Sequence, residues 1–255
     1  MKFASWNINS INLRKETVLN WMNENKIDVL GLQETKCETD KFPNDFFHKN
    51  GYFTEVIGQK SYNGVAIISK HPIQLSKSYL PNLKEKEAQA RYLEIEINNF
   101  IFTSIYVPNG NPINTEKFAY KKDWLDCLIK HSNDLLSFEK PVILAGDFNV
   151  IPDAIDCWDE QAWENDALAT PFIRKQFRII KHQGYFDAFR LINNDKSEWS
   201  FWDYQNGSWN KDYGIRIDHF LINSYAADII KNCSIDKRPR GKEKPSDHTP
   251  IVLEF

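Results

Sequence analysis

Polar side chains that can bind a metal ion or a phosphate stand at the ends of apolar runs, or within them, at five places in the chain. These are Asn7-Ile8-Asn9, Gln33-Glu34, Asp147-Phe148-Asn149, Asp218 and Asp247-His248. Carboxylate and amide oxygens are the ligands that Mg²⁺ prefers, and Mg²⁺ keeps waters that a phosphate can displace. The chain has no His/Cys cluster of the kind that binds zinc. The sequence therefore predicts a hard-cation site suited to phosphate chemistry.

Asp218 is the most informative of these residues because it interrupts an apolar run that continues to Ile222. A buried carboxylate costs several kcal/mol unless it is paired. We expect His248 to pair with it and to have its pKa raised as a result. Taken singly, the other groups could also have a purely structural role. Asp147 and Asn149 could form a turn, and Asp247-His248 could cap a helix.

The elements that must position these residues are short apolar strands that alternate with helical patterns. Strands are predicted at Lys2–Ile8, Ile27–Leu32, Gly64–Ser69, Tyr92–Ile97, Ile101–Val107, Val142–Asp147, Ile217–Ile222 and Ile251–Phe255. Helices are predicted around Thr17–Met22, over Thr115–Leu136 and over Pro171–His182 after an N-cap at Thr170. Asn98-Asn99 predicts a tight hairpin. The pattern favours mixed sheets with helices outside, in a single domain over residues 1–255 with no visible linker.

Composition bounds the class of protein. Hydrophobic residues make up 42% of the 255 residues, enough for a sizeable core. The formal charge of −3 argues mildly against a nucleic-acid partner, because phosphate binders are usually basic. The four dispersed cysteines indicate free thiols in a reducing compartment, and neither a leader nor a membrane span is visible. We expect a cytoplasmic protein, associated with the nucleoid if the source is bacterial.

Eight short blocks occur in the order found in a known family. They are Trp6-Asn7-Ile8-Asn9-Ser10, Leu32-Gln33-Glu34-Thr35-Lys36, Asn63-Gly64-Val65-Ala66, Tyr106-Val107-Pro108-Asn109-Gly110, Gly146-Asp147-Phe148-Asn149, Phe201-Trp202-Asp203-Tyr204, Arg216-Ile217-Asp218 and Ser246-Asp247-His248. Over its whole length the chain resembles the exonuclease III family of abasic-site endonucleases, within the DNase I-like endonuclease/exonuclease/phosphatase superfamily. The resemblance implies an α/β fold, a four-layer α/β sandwich of two mixed sheets packed face to face with helices outside.

The resemblance also implies a function. It is that of a Mg²⁺-dependent DNA repair nuclease that hydrolyses the phosphodiester on the 5′ side of abasic sites in duplex DNA. Exonuclease, phosphodiesterase and phosphatase activity at 3′ ends is expected beside it. One or two ions are expected, with Mn²⁺ as a substitute. The expected partner is duplex DNA with an abasic site or a blocked 3′ end, bound by a monomer without membrane association.

Residue roles follow from the same resemblance. Metal ligands are expected among Asn7, Glu34, Asp147, Asn149, Asp247 and His248, and catalytic roles at Tyr106, Asp147, Asn149, Asp218 and His248. Asp147 and Asn149 are expected to hold and deprotonate the attacking water. Asp218 is expected to fix one tautomer of His248, whose positive charge stabilises the phosphate. Tyr106 is expected to donate its hydroxyl to the phosphate or the leaving group.

Substrate specificity is expected from an apolar pocket, because an abasic sugar has no base to hydrogen-bond and leaves the helix cheaply. The matching positions are Phe201, Trp202, Ile215 and Ile217, with further contacts from Asn109 and Arg216. An aromatic at such a position can equally be core. The segment Lys231–Lys244 carries a net charge of +4 and leads into Asp247. We expect it to contact DNA phosphates, which would reconcile the overall charge with a DNA partner.

Two alternatives remain open at this stage. A phosphatase acting on a phospholipid or a small phosphorylated substrate would share the metal and histidine chemistry. A catalytically dead DNA-binding module is the second. The Glu34-Thr35-Lys36 and Phe201-Trp202 blocks favour DNA over a small substrate, and the complete set of catalytic positions disfavours a dead site.

Overall fold

The structure is a computed structural model that describes residues 1–84 and 89–255. Two six-stranded sheets form its centre. The first contains β1 (Lys2–Asn7), β2 (Val29–Gln33), β3 (Phe53–Ile57), β4 (Val65–Ser69), β11 (Asn232–Ile235) and β12 (Ile251–Glu254). The second contains β5 (Gln74–Lys77), β6 (Tyr92–Ile97), β7 (Phe100–Tyr106), β8 (Val142–Asp147), β9 (Tyr185–Asp187) and β10 (Asp218–Asn223).

Both sheets are mixed. Their strand orders are β11-β12-β1-β2-β4-β3 and β5-β6-β7-β8-β10-β9. Within them β1 pairs with β2 and β7 with β8 in parallel, while the remaining neighbours are antiparallel. Asn98 and Asn99 join β6 to β7 with φ values of 44° and 68°, the left-handed pair of a two-residue hairpin turn. The predicted hairpin is confirmed.

Helices lie on the outer faces of the sheets. They are α1 (Ile11–Asn25), α2 (Asn44–Lys49), α3 (Glu116–Leu135), α4 (Glu160–Trp163), α5 (Pro171–His182), α6 (Ala188–Ile192), α7 (Ser208–Lys211) and α8 (Ser224–Ala227). The predicted N-cap of α5 is present, since the Thr170 hydroxyl accepts a hydrogen bond from the Ile173 amide. None of the helices in the described residues is long and apolar enough to cross a membrane.

Three apolar layers hold the sandwich together. Phe3 and Ile67 of the first sheet meet Phe102 and Phe220 of the second between the sheets. On the outer faces, α1 packs against the first sheet and α3 and α5 pack against the second. Because the central strands are buried on both faces, they read as continuous apolar runs rather than alternating ones. The predicted four-layer sandwich is confirmed.

The predicted strands all occur, with ends within two residues of the predicted ones. The sequence prediction omitted β3, β5, β9 and β11, which are the outermost strands of the two sheets. These strands are three to five residues long and partly exposed, so they lack a continuous apolar run. Edge strands are commonly short and polar, which limits their unwanted pairing with other chains.

Candidate functional site

A cavity of about 370 Å³ opens where the two sheets meet at one edge of the sandwich. It is lined by nine of the predicted site residues: Glu34, Tyr106, Asn109, Asp147, Asn149, Phe201, Ile217, Asp247 and His248. The strand register brings several of them together. Tyr106 stands opposite Asp147 across β7 and β8, and Asp218 stands opposite Asp147 across β8 and β10.

Asn7 ties the two sheets together at this edge. Its Nδ2 donates to Glu34 Oε1 at 2.8 Å and to Asp147 Oδ2 at 3.0 Å, and Asp147 belongs to the opposite sheet. Potential ligand atoms of Glu34, Asp147 and His248 lie within 4.8 Å of one another. Carboxylate oxygens this close, beside an amide, fit a divalent cation that prefers oxygen ligands. Asp247 lies outside this cluster, although it lines the same cavity.

Lys36 supplies a positive charge beside Glu34. Its Nζ lies 2.9 Å from Glu34 Oε2 and donates to Asn9 Oδ1 at 2.6 Å. Burial alone would raise the pKa of Glu34, but the hydrogen bond from Asn7 and the charge of Lys36 outweigh it and lower that pKa. Glu34 is therefore an anion at neutral pH, as a cation ligand must be. Asn9 continues the network by donating to Asp247 Oδ1 at 3.0 Å.

Asp147 is buried in the floor of the cavity. Its Oδ1 accepts the Asn149 backbone N–H at 2.9 Å, and its Oδ2 accepts the Asn7 amide. Burial raises the pKa of Asp147 to about 7, the Asp218 carboxylate adds to this, and His248 opposes it. A carboxylate with a raised pKa takes up a proton more readily than an ordinary aspartate.

The predicted pairing of Asp218 with His248 is confirmed. His248 Nδ1 lies 2.8 Å from Asp218 Oδ2, and His248 Nε2 lies 3.8 Å from Asp147 Oδ2. Burial alone would lower the pKa of His248, but the Asp218 and Asp147 carboxylates outweigh it and raise the pKa to about 10. His248 is therefore an imidazolium at neutral pH, with Nε2 directed to the side of Asp147 and the cavity.

Tyr106 keeps its proton in this setting. Burial and the Glu34 carboxylate raise the pKa of its hydroxyl well above the ordinary value. The Arg91 guanidinium lies over the Tyr106 ring at 4.4 Å from the centroid and helps to hold the ring in place. Tyr106 is consequently a hydrogen-bond donor rather than a base.

Asn149 is held by hydrogen bonds on both sides of its amide. Its Nδ2 donates to the Val107 carbonyl at 2.9 Å, and its Oδ1 accepts from Asn109 Nδ2 at 3.2 Å. Left-handed φ values near 50° recur in these loops, at Asn9, Glu34, Lys36 and Asn149. Such strained backbone clusters at functional sites and persists where surrounding contacts impose it.

One wall of the cavity is apolar. Phe201 packs its ring 4.9 Å from the His248 ring in a T-shaped arrangement, and Ile217 lies beside it. Leu168 and Trp163 complete the wall, although the sequence pattern did not indicate either residue. Both precede α5 in a segment without helical or strand periodicity, so no sequence signal marked them.

Two predicted pocket residues, Trp202 and Ile215, do not reach the cavity. Each is 0% exposed. Trp202 points away from the site and donates its Nε1 to Asp212 at 3.0 Å, while Ile215 pairs with Phe201 from behind through backbone hydrogen bonds. The prediction of substrate contacts at both positions is wrong, because the backbone pairing turns these side chains into the core.

Arg216 is a third correction. Its guanidinium is 1% exposed and forms buried ion pairs with Asp156 at 2.7 Å and Asp187 at 2.8 Å. It also contacts His219 Nδ1 at 3.0 Å. A guanidinium whose N–H groups meet two buried carboxylates serves the packing behind the site rather than the substrate.

The sequence model of the Endonuclease/Exonuclease/phosphatase family matches residues 4–248. The chain belongs to this family. Exodeoxyribonuclease III of Haemophilus influenzae is 30% identical over 269 residues, with 100% of both chains covered. The predicted family and the predicted class, a hydrolytic nuclease, are confirmed.

Solved structures of family members match the fold closely. An AP endonuclease from Archaeoglobus fulgidus is 34% identical and superposes with a TM-score of 0.94, covering 100% of this chain and 99% of that one. A 3′ phosphatase from Neisseria bound to a product DNA hairpin is 31% identical, with the same TM-score and coverage. The two relatives carry different named activities on a common fold.

The segment Lys231–Lys244 has fewer basic side chains available to a ligand than its net charge of +4 indicates. Arg238 pairs with Asp236 on its own loop, and Arg240 is buried with its guanidinium against the rings of Tyr204 and Trp209. Lys231, Lys242 and Lys244 remain exposed and available to a negatively charged ligand.

Two buried cations that hold the loops of the site were missed. Arg14 on α1 donates to the carbonyls of Ile8 and Asn9 on one loop and of Lys244 and Pro245 on another. Lys121 on α3 is 0% exposed, although a charged residue of a helix usually lies on its solvated face. A signal was present, because Lys121 precedes Trp124 and Leu125 at the spacing of the buried helix face.

Proposed function

We propose that the protein is a Mg²⁺-dependent DNA repair nuclease that hydrolyses the phosphodiester on the 5′ side of abasic sites and also processes blocked 3′ ends. The observation that carries the proposal is the Asn7, Glu34 and Asp147 cluster beside the His248 imidazolium, at the base of a cavity with an apolar wall. Each part of this arrangement supplies something that phosphodiester hydrolysis needs.

The cation would be held by Glu34, with the Asn7 and Asp147 oxygens beside it. When bound, Mg²⁺ neutralises charge on the phosphoryl oxygens. Lys36 keeps Glu34 ionised for this purpose. We assign His248 to the phosphate rather than to the cation, because an imidazolium has no free lone pair for a metal. Asp247 is the candidate for a second or outer position.

The attacking water is assigned to Asp147 and Asn149. Asp147 accepts the water proton, for which its raised pKa is suited, and the fixed amide of Asn149 orients the oxygen. The His248 imidazolium stabilises charge that develops on the phosphate, while Asp218 fixes the ring orientation. Tyr106 donates its hydroxyl to the phosphate or the leaving oxygen.

The apolar wall supports an abasic nucleotide as the target. A sugar without a base leaves the helix cheaply and is held by shape and apolar contact, which Phe201, Ile217, Leu168 and Trp163 can supply. A 3′-terminal nucleotide could occupy the same space, in keeping with the different activities named for the relatives.

Residues 1–255 would act as one domain, because each sheet supplies part of the site, and the protein would act as a monomer. The four buried thiols suit the reducing cytoplasm.

Three labelled substrates test the proposal: a duplex with one abasic analogue, a duplex with a 3′-phosphate at a nick, and a short-chain phosphoinositide. We expect cleavage 5′ of the lesion that leaves a 3′-hydroxyl, with Mg²⁺ and not with a chelator. Asp147→Asn should lower turnover by about 10²-fold or more, with duplex binding retained.

Other outcomes of the same assay are informative. Release of the 3′-phosphate without cleavage at the abasic analogue would restrict the function to 3′ ends and overturn the abasic-site proposal. Hydrolysis of the phosphoinositide alone would replace DNA as the substrate. Loss of duplex binding in Asp147→Asn, as large as the loss of turnover, would contradict the role given to this residue.

A further inference from the structure

Lys121 places a completely buried ammonium behind the cavity. Its Nζ donates to the carbonyl oxygens of Asn149 at 2.7 Å, Asn109 at 2.9 Å and Ala167 at 3.0 Å. An ammonium has three donors, and here each has one acceptor. The group is therefore fully satisfied by backbone and does not point to the substrate.

The three carbonyls belong to three different segments around the cavity. Asn109 follows β7, Asn149 follows β8, and Ala167 precedes the apolar wall residue Leu168. A side-chain link also joins the first and third segments, since Asn111 donates to Asp166 at 3.0 Å. Lys121 is thus the point where three loops that carry cavity residues are joined to one helix.

The chain makes room for this side chain at Gly110. A Cβ at Gly110 would lie 2.6 Å from Lys121 Cδ and 3.2 Å from Lys121 Cβ. Gly110 also has a φ of +87°, which other residues rarely adopt. The glycine at position 110 therefore leaves room for the Lys121 side chain to pack against the loop. This gives the Asn109-Gly110 part of the sequence block a role other than substrate contact.

The electrostatic setting also connects Lys121 with the site. Burial lowers the pKa of Lys121 to about 7, while the Asp166 and Asp147 carboxylates act in the opposite direction. The Asp166 and Asp147 carboxylates thus favour the charged form of Lys121, which can donate to all three carbonyls.

We propose that Lys121 is a positioning residue that holds Asn149, and through it the attacking water, in the reactive arrangement. The inference rests on the proposed hydrolytic function. Removing the ammonium leaves three buried carbonyls without a donor, so the loops must move to find water or other partners. A displacement of the Asn149 loop by a fraction of an ångström to one ångström misaligns a reacting group and lowers turnover by about 10- to 100-fold.

Lys121→Met, Lys121→Arg and Lys130→Met provide the test. Methionine matches the length of the lysine stem without its charge, and arginine retains a cation with several donors. Lys130 is an exposed lysine on the same helix and supplies the matched control. We expect Lys121→Met to lower kcat at least tenfold, with less than a threefold change in duplex Kd measured in chelator, and Lys121→Arg to recover part of the loss. Lys130→Met should match the wild type.

A purely structural role would give a different result. In that case the lost kcat would return when an osmolyte restores the melting temperature of Lys121→Met, and this would overturn the proposal. A kcat within twofold of the wild type in folded Lys121→Met would overturn it as well.

An NMR measurement tests the same inference without relying on activity. We expect the side-chain amide signals of Asn149 and Asn109 to shift in Lys121→Met, or in Lys121→Arg if methionine prevents folding, and not in Lys130→Met. Unshifted signals would overturn the positioning role. If the wild type cleaves none of the DNA substrates, the proposed function fails. The NMR comparison still decides in that case whether Lys121 holds the Asn149 and Asn109 amides in place.

Discussion

Charged side chains in and behind the cavity are matched by a partner of opposite charge or by backbone dipoles. Glu34 faces Lys36, Asp218 faces His248, and Lys121 is enclosed by three carbonyls. The sequence alone identifies Glu34, Lys36, Asp218 and His248 as site residues or as members of a site block. It does so because acidic and amide groups at the ends of apolar strands are easily recognised. Arg14 was missed because a cation that binds backbone carbonyls has no acidic partner that the sequence can reveal, while the burial of Lys121 is indicated only by its spacing from Trp124 and Leu125.

Arg216 illustrates the opposite error at the residue scale. A basic residue beside Asp218 was expected to contact the substrate, yet it forms the centre of a buried network with Asp156, Asp187 and His219. Arg216 and Ile217 are neighbours in the segment that leads into β10, yet only Ile217 lines the cavity. Membership of one sequence block therefore does not decide which side chains reach the cavity.

This network makes a pH-dependent contribution to stability. Burial and the Arg216 charge lower the pKa of His219 to about 4 from its ordinary 6.5. Between these values the unfolded histidine binds a proton and the folded one does not, so the contribution of His219 to the free energy of unfolding falls as pH drops from 6.5 to 4. The loss corresponds to about 3 kcal/mol. Asp187 has its pKa lowered to about 2, so its contribution is retained across this window.

His219→Gln, which cannot take up a proton, isolates that contribution. We expect urea unfolding to show a lower stability than the wild type at pH 7 and a stability difference from the wild type that shrinks as the pH falls from 6.5 to 4. His182→Gln changes an exposed histidine and should keep the wild-type slope. Parallel curves for His219→Gln and the wild type would show that His219 is not responsible for the loss.

At the scale of elements, the parallel pair β7 and β8 decides the geometry of the site. Their register sets Tyr106 opposite Asp147, and the preceding pair is Ile105 opposite Gly146. A Cβ at Gly146 would lie 1.9 Å from the Ile105 carbonyl oxygen, where the neighbour is backbone and cannot turn aside. Gly146 is thus required for the close approach of β7 and β8 that places Tyr106 opposite Asp147.

Gly146→Ala should separate these strands. We expect the free energy of unfolding to fall by about 3 kcal/mol or more, because the clash must be relieved by backbone movement. Gly51→Ala is the control, with a left-handed φ of +82° and no atom within 4 Å of the added Cβ. It should cost about 1 kcal/mol. Equal losses in urea unfolding would contradict the importance of the strand approach.

Elements were predicted well where burial was complete and poorly where it was partial. The central strands and the long helices α3 and α5 have continuous or helical apolar patterns, and their bounds follow from the sequence. The edge strand β5 has four residues, of which three are polar and none is buried, so its sequence is not distinguishable from that of a loop. Sheet order is also beyond a single sequence, since β12 pairs with β1 from the other end of the chain.

At the scale of the whole molecule, the site forms because both sheets contribute residues to it where they meet at one edge of the sandwich. Asn7 and Glu34 come from the first sheet, and Tyr106 and Asp147 come from the second. The net charge of −3 includes the buried acidic cluster, which a bound cation and the His248 imidazolium would offset. Overall charge is therefore a poor guide here, because it does not show that carboxylates are gathered at the site or that lysines such as Lys231, Lys242 and Lys244 are exposed.

Transfer of solvent oxygen tests the central claim most directly. A duplex with one natural abasic site is incubated with the protein and Mg²⁺ in ¹⁸O-water, and both fragments are weighed by mass spectrometry. Hydrolysis by an activated water predicts one ¹⁸O in the phosphate group of the 5′-deoxyribose phosphate, located by fragmentation because the sugar aldehyde exchanges its own oxygen with water, and an unlabelled 3′-hydroxyl on the other fragment. Cleavage on the 3′ side, with an unsaturated aldehyde and no ¹⁸O in either phosphate group, would identify β-elimination and contradict the account.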